Sequence, residues 1–239
     1  MKTMVRRVYG LLVVLCIWAS TAMGQSSGLV DEWPMGRVYL ASGDSVSGKI
    51  TYHRSEDLVR ILKTDGSVVA YAPVAVRGFE AIDNEGRYRR VFVTQRWNFG
   101  NDYSDFLAPA FFEQIVIGNY GLLKRETMTR RDISRDPMYR NGYYRGGYYN
   151  PYGGYPMGGP MYVEQRLENF FVLLPNGKVK ELRNVKKDLE MIYGKKSNVM
   201  KEYVRQNKLK YTSLPDLAKI VSYLGAISQP EVRTSSVDM

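Results

Sequence analysis

Apolar and polar residues alternate along most of this chain, and turn residues break the alternation at short intervals. Arg37–Ala41 and Gly48–His53 flank the turn cluster 42–45. Leu58–Leu62 and Ser67–Tyr71 flank an Asp-Gly bend at 65–66. Val76–Ile82 and Tyr88–Gln95 flank Asp83–Gly86, and Ala110–Ile117 and Tyr120–Glu126 flank Gly118 and Asn119. Val163–Leu174 and Lys178–Leu182 flank Pro175–Gly177. Period-two runs around Gly, Asn and Asp turns predict antiparallel hairpins. On one strand, Tyr88, Arg90, Phe92 and Thr94 share a face. Phe111 and Phe112 are adjacent on another and point to opposite faces, so both faces of the sheet are covered there.

After residue 183 the period changes. Asn184 is placed to cap a helix carrying Val185, Leu189, Ile192 and Tyr193, stopped by Gly194. A second helix opens at Ser197 with Val199, Met200, Tyr203 and Val204 inward. A third follows the capping-box-like Ser213–Asp216 and turns Leu217, Ile220, Val221 and Leu224 to one side. The expected fold is therefore mainly β (α+β). It is an antiparallel meander, sandwich-like or barrel-like, of about ten strands with a small C-terminal three-helix appendage.

Two segments fit neither pattern. Lys2, Arg6 and Arg7 precede an apolar run from Val8 to Ala19, and small residues follow at Ala22 and Gly24. That is the layout of a signal peptide over 1–24, too short for a comfortable membrane span. Cys16, the one cysteine, lies inside it, so the exported chain has no disulfide or thiol chemistry. Between 136 and 162, eight tyrosines and seven glycines stand among 27 residues with no Val, Ile or Thr. This reads as a disordered insertion within the β-rich region 25–182, ahead of a helical region 183–227 and a flexible tail 228–239.

Composition narrows the function by exclusion. His53 is the single histidine, at a predicted strand end, so a Ser-His-Asp triad or a His-rich zinc site has little to draw on. The paired glycines of the insertion lack the context of a phosphate-binding loop. No catalytic residue, cofactor site or metal site is assigned. Carboxylates near predicted strands (Glu80, Asp102, Asp105 and Glu113) leave a glycan-active hydrolase as an alternative. A small-ligand carrier with a barrel cavity is another.

Charge adds a surface. The chain carries +10, and +7 once the leader's three cations are removed. Residues 178–210 hold eleven lysines and arginines against four acids, the same excess. Lys186, Lys187, Lys195, Lys196, Lys201 and Arg205 are candidates for contact with an anionic envelope surface, whether lipid, lipopolysaccharide or glycan. Tyr143, Tyr144, Arg145, Tyr148 and Tyr149 of the insertion are candidates for stacking contacts. Another envelope protein is a further possible partner; export argues against nucleic acid. The expected function is a non-enzymatic binding or structural module. Its expected place is the periplasm, the outer membrane surface or the medium.

Gly36–Leu40, Gly43, Gly48–Tyr52, Phe79, Phe92, Phe111–Glu113 and Gly118 with Leu122–Arg125 resemble a family of uncharacterised exported proteins of Gram-negative bacteria. Lys187–Leu189, Tyr203–Leu209, Asp216–Ile220 and Tyr223 are similar to that family too. The resemblance rests on packing and turn residues. It implies export and transfers no activity.

Overall fold

The computed structural model describes residues 30–228 except 84, 87, 102 and 134–161. The expected signal peptide over 1–24, nearly all of the Tyr/Gly insertion and the residues beyond 228 lie outside the described residues.

Ten strands form one antiparallel sheet. They are β1 (Val30–Leu40), β2 (Ser45–His53), β3 (Leu58–Leu62), β4 (Val68–Tyr71), β5 (Val76–Ile82), β6 (Arg89–Trp97), β7 (Ala108–Val116), β8 (Gly121–Asp132), β9 (Tyr162–Leu173) and β10 (Val179–Glu181). The order is β10-β9-β8-β7-β6-β5-β1-β2-β3-β4, which leaves the sheet open, with β10 and β4 at its edges. The simple meander is therefore corrected at one place: β1 sits between β5 and β2. β1 also begins earlier than the alternation from Arg37 suggests, at Val30. β6 runs two residues beyond the alternating stretch that ends at Gln95 and closes at Trp97. Three helices follow the sheet: α1 (Val185–Tyr193), α2 (Ser197–Gln206) and α3 (Leu214–Ser228).

The register of β1 shifts between Trp33 and Gly36, and beyond it Gly36 pairs with Gly48 of β2. A Cβ on Gly36 would come within 2.3 Å of the Glu80 carbonyl oxygen, and one on Gly48 within 2.1 Å of that of Leu62. Only glycine lets the backbones approach so closely where the sheet bends. Past the bend, Trp33, Ile50, Tyr52, Val59, Ile61, Phe79, Phe92 and Phe111 form one buried cluster inside the curl. Phe79 and Phe92 stack with centroids 4.4 Å apart, and Tyr52 meets Phe111 edge-on at 5.8 Å.

Asp57, in the β2–β3 turn, closes the curl. Its carboxylate accepts the Phe111 N–H (3.2 Å) and the Tyr52 hydroxyl (2.7 Å). It also pairs with Arg125 Nη1 (3.1 Å), which donates in turn to the Phe111 carbonyl (2.8 Å). The β7–β8 ladder ends at Glu113 and Lys124. Two side chains thus satisfy the backbone groups that β8 leaves at Phe111. Asp57 holds φ 52°, a left-handed conformation that a short polar residue adopts more readily than most.

The helices cover the other half of the same sheet face. Leu122 and Val172 meet Leu189, Tyr193, Met200, Val204, Leu217, Ile220, Val221 and Leu224. Asn184 caps α1 as expected, its side chain accepting from the Lys187 N–H. Tyr203 and Tyr223 stack at 4.0 Å, joining α2 to α3. The capping box expected at α3 takes another form: Asp216 accepts the N–H of Lys210 at 3.1 Å. On the opposite sheet face, Ala110, Phe112, Leu123 and Phe171 pack with Trp97 and Leu173. Phe111 and Phe112 do point to opposite buried faces.

Candidate functional site

The basic positions of the helical region lie at the surface. Lys186 and Lys187 stand in the first turn of α1. Lys195 and Lys196 occupy the single 3-10 turn that joins it to α2, and Lys201 and Arg205 follow one turn apart on α2. All six are exposed. Their charges are not equally free. Lys201 pairs with Glu190 of α1 at 3.2 Å and Arg205 with Glu202 at 2.6 Å. The Lys196 ammonium donates to the Ile227 carbonyl of α3. Lys186, Lys187 and Lys195 have no ion-pair partner among the described residues. Lys186 lies one turn before Glu190, so it borders the α1–α2 seam that Lys201 crosses.

Two apolar side chains share this surface. Met191, one turn after Lys187, is 65% exposed, and Val199, one turn after Lys195, is 47% exposed. The sequence pattern places Val199 inward. The helix instead buries Met200 and Val204 and leaves Val199 outside, because the inward stripe of α2 is only wide enough for those two with Tyr203 half-buried. Lys178 and Lys180 stand at the border of this surface, with the Lys180 ammonium 3.6 Å from the Met191 sulfur. They line a pocket of about 330 Å³ beside Trp97, with Glu181, Arg183 and Asp188. Arg183 is tied there to the Gly100 carbonyl (2.8 Å) and to Glu181 (3.2 Å).

A second concentration of charge is buried on the helical face of the sheet, between the two apolar clusters. Leu122, Lys124 and Glu126 alternate onto that face of β8, and Phe111 and Glu113 onto that of β7. Arg90 holds Glu113 through two hydrogen bonds of 2.8 and 2.5 Å and reaches Glu126 at 3.3 Å. Lys124 bridges the same two carboxylates at 3.2 Å each and meets Glu168 at 3.3 Å. Arg54 pairs with Asp31 and lies over the rings of Tyr52 (5.1 Å) and Phe92 (5.6 Å). Arg166 closes the group, 3.1 Å from Glu126 and 3.8 Å from Asp31. Four cations face four carboxylates. The Nη2 of Arg54 is buried with no hydrogen-bond partner among the described residues.

This arrangement bears on the carboxylates considered for hydrolysis. Burial pushes the Glu113 carboxyl up, but Arg90 and Lys124 outweigh it and hold the group below its ordinary range. Glu126 follows the same balance, raised by burial and lowered further by Arg54, Lys124 and Arg90. A general acid needs the opposite displacement. Glu80 is paired with Arg89, and Asp105 is exposed on a loop. Asp102 lies outside the described residues, as do Tyr143, Tyr144, Arg145, Tyr148 and Tyr149. His53 ends β2, opposite Val30 and Leu58. Among the described residues no three metal-ligating side chains come together, and no helix is long and apolar enough to cross a membrane.

Sequence reasoning singled out Glu113 but missed its partners. The alternation itself held a signal: Lys124 and Glu126 fall on the same strand face as Leu122, where a core-facing pattern calls for apolar residues. No family model matches the chain, and neither a curated protein nor a solved structure matches it.

Proposed function

We propose that this chain is an exported, non-enzymatic envelope protein that binds an anionic lipid surface through the α1–α2 face. The observation that carries the reading is the combination on that face: three lysines without ion partners among the described residues, Lys186, Lys187 and Lys195, beside exposed Met191 and Val199. Cations alone would suit any polyanion. Exposed apolar side chains one helical turn from them suit the boundary between headgroups and acyl chains. The leader-like layout of residues 1–24 supports export. The packed aromatic interior of the curl and the neutralised carboxylates favour binding over the carrier and hydrolase readings.

Co-sedimentation with vesicles tests the proposal. Binding to phosphatidylglycerol vesicles is expected, and little to phosphatidylcholine. Binding should weaken steeply with salt, since exposed charges act over a Debye length of about 8 Å at physiological ionic strength. Replacing Lys186, Lys187 and Lys195 by Glu should abolish it without changing the unfolding transition. Equal binding to both vesicle types, or indifference to the triple reversal, overturns the assignment of this face.

A further inference from the structure

We infer that two copies of this chain join edge to edge through β9, in an antiparallel register centred on Gln165. β9 is twelve residues long, but β10 pairs only with its last part, Phe171 to Leu173, and Leu182 donates to the Phe170 carbonyl. On the other side β8 pairs with β9 along its whole length, without a register shift. From Tyr162 to Asn169, therefore, β9 has a paired inner edge and, among the described residues, no strand on its outer edge. Tyr162–Glu168 are exposed. A long, regular edge of this kind is a template for another strand.

The backbone fixes which groups point outward. The Phe170 carbonyl bonds to Leu182 and the Leu174 N–H to Lys178 in the β9–β10 hairpin, both on the outer side. In a regular strand, successive residues alternate between the two edges. Glu168, Arg166, Glu164 and Tyr162 consequently present their N–H and C=O groups to the free edge.

The side chains then select a partner. In a two-fold antiparallel pair centred on Gln165, Glu164 of each copy lies opposite Arg166 of the other. Both residues point their backbone groups outward, so the two exchange hydrogen bonds, and their side chains have opposite charge. Val163 falls opposite Leu167 on the other face, where they are 44% and 46% exposed in the single chain. Gln165 faces itself on the axis. The neighbouring registers fail on charge or on a backbone acceptor already taken. Centring on Arg166 sets arginine against arginine and Glu164 against Glu168, and centring on Glu164 sets that acid against itself. Centring on Leu167 restores Arg166 opposite Glu168 but drives Glu164 onto Phe170, whose carbonyl is taken. The outer edge of β8 offers a shorter exposed run, Met128–Asp132, because Glu126 is buried in the ion cluster. A self-complementary patch with one favoured register is what a two-fold interface requires.

Sedimentation equilibrium of the mature chain should give a concentration-dependent mass approaching twice that of one chain. Glu164→Arg sets Arg against Arg, and Arg166→Glu sets Glu against Glu. Each should be monomeric alone, and an equimolar mixture should dimerise, because each then supplies the charge the other needs. Within one chain Arg166 pairs with Glu126 and Glu164 with Arg130 of β8 (3.6 Å), so the thermal unfolding of both variants is checked first. Gln165→Cys touches neither group and gives an independent test. Non-hydrogen-bonded antiparallel partners lie about 4.5 Å apart at Cα, within disulfide reach. Mild oxidation should convert Gln165→Cys to a covalent dimer much faster than Glu164→Cys or Arg166→Cys. A wild-type chain that stays monomeric at its highest soluble concentration overturns the inference. So does a dimer in which the three cysteine variants cross-link equally or the charge mixture fails to restore association.

Discussion

At Glu113 two effects act in opposition on one carboxyl. Burial disfavours its charge, while the Arg90 fork and the Lys124 ammonium favour it and prevail. Glu126 resolves the same way. Both carboxyls hold protons less readily in the folded chain than in the unfolded one. Their contribution to stability is therefore complete above the ordinary glutamate value, about 4.3, and is lost as the pH falls through the lower folded values. Lys124 has the mirror behaviour. Burial pushes its ammonium down and Glu113 and Glu126 raise it beyond that, so its contribution is complete below the ordinary lysine value, about 10.4, and is lost as the pH rises from there through the higher folded value. Stability should be nearly flat between these limits and decline on the acid side. Glu113→Gln keeps the shape and removes the charge, leaving Arg90 and Lys124 to share Glu126 and Glu168. The variant should lose about 3 kcal/mol at neutral pH, the low end for one partner of a buried pair because Arg90 keeps some solvent. Its acid decline should be shallower than that of the parent. Urea titrations at neutral and acid pH measure both, and equal slopes would show that Glu113 does not carry the acid sensitivity.

The hairpins were legible because each is specified locally. Period two fixes the face, and Asp-Gly, Gly-Asn or Asn-Gly fixes the bend. Residues 30–36 were not legible, because Asp31, Glu32 and Pro34 interrupt the alternation where β1 changes register. The place of β1 between β5 and β2 depends on a pairing forty residues distant, which no local pattern encodes. The ion cluster was hidden for the same reason: its eight members come from β1, β6, β7, β8, β9 and the turn after β2. The basic face was legible as charge, but its division into paired and free lysines was not, since Glu190 and the Ile227 carbonyl reach it only through helix packing. Helix docking can be tested element by element. Leu217 and Leu224 of α3 are each 1% exposed. Leu217→Asp or Leu224→Asp places a carboxylate against the β8 side of the helical cluster with no partner there. Each should cost at least 4 kcal/mol, combining the lost apolar contact with an unpaired buried charge. The controls Lys219→Asp and Ser222→Asp, at exposed positions of the same helix, should stay within about 0.5 kcal/mol of the parent. Wild-type unfolding of both leucine variants would mean that α3 is not held on the sheet.

On the scale of the whole molecule, the two proposals constrain each other. Residues paired across an antiparallel edge point their side chains to the same sheet face. The two-fold axis through Gln165 is therefore perpendicular to the sheet, and both copies keep their helices on one side of a continuous surface. A dimer so built presents two α1–α2 faces in the same direction, which lets both meet one flat bilayer. The second contact is then intramolecular, and linked binding of this kind strengthens association by roughly a hundredfold or more. The comparison needs a dimer that cannot dissociate and a monomer that cannot associate. Oxidised Gln165→Cys supplies the first. Glu164→Pro supplies the second, because the Glu164 N–H points to the free edge and proline there leaves the backbone ladder to β8 intact, giving up besides the edge donor only the exposed ion pair with Arg130. The proline variant also loses an acid, which favours its binding to anionic vesicles and so works against the expected result. At equal chain concentration the cross-linked dimer should still bind phosphatidylglycerol vesicles roughly a hundredfold more tightly. Reducing the disulfide in dilute solution should return it toward the monomer's affinity. Equal affinities for a confirmed dimer and a confirmed monomer would mean that the two basic faces do not look the same way. The β9 register or the membrane role of the helices would then have to be given up, and the salt dependence of the monomer alone would tell which.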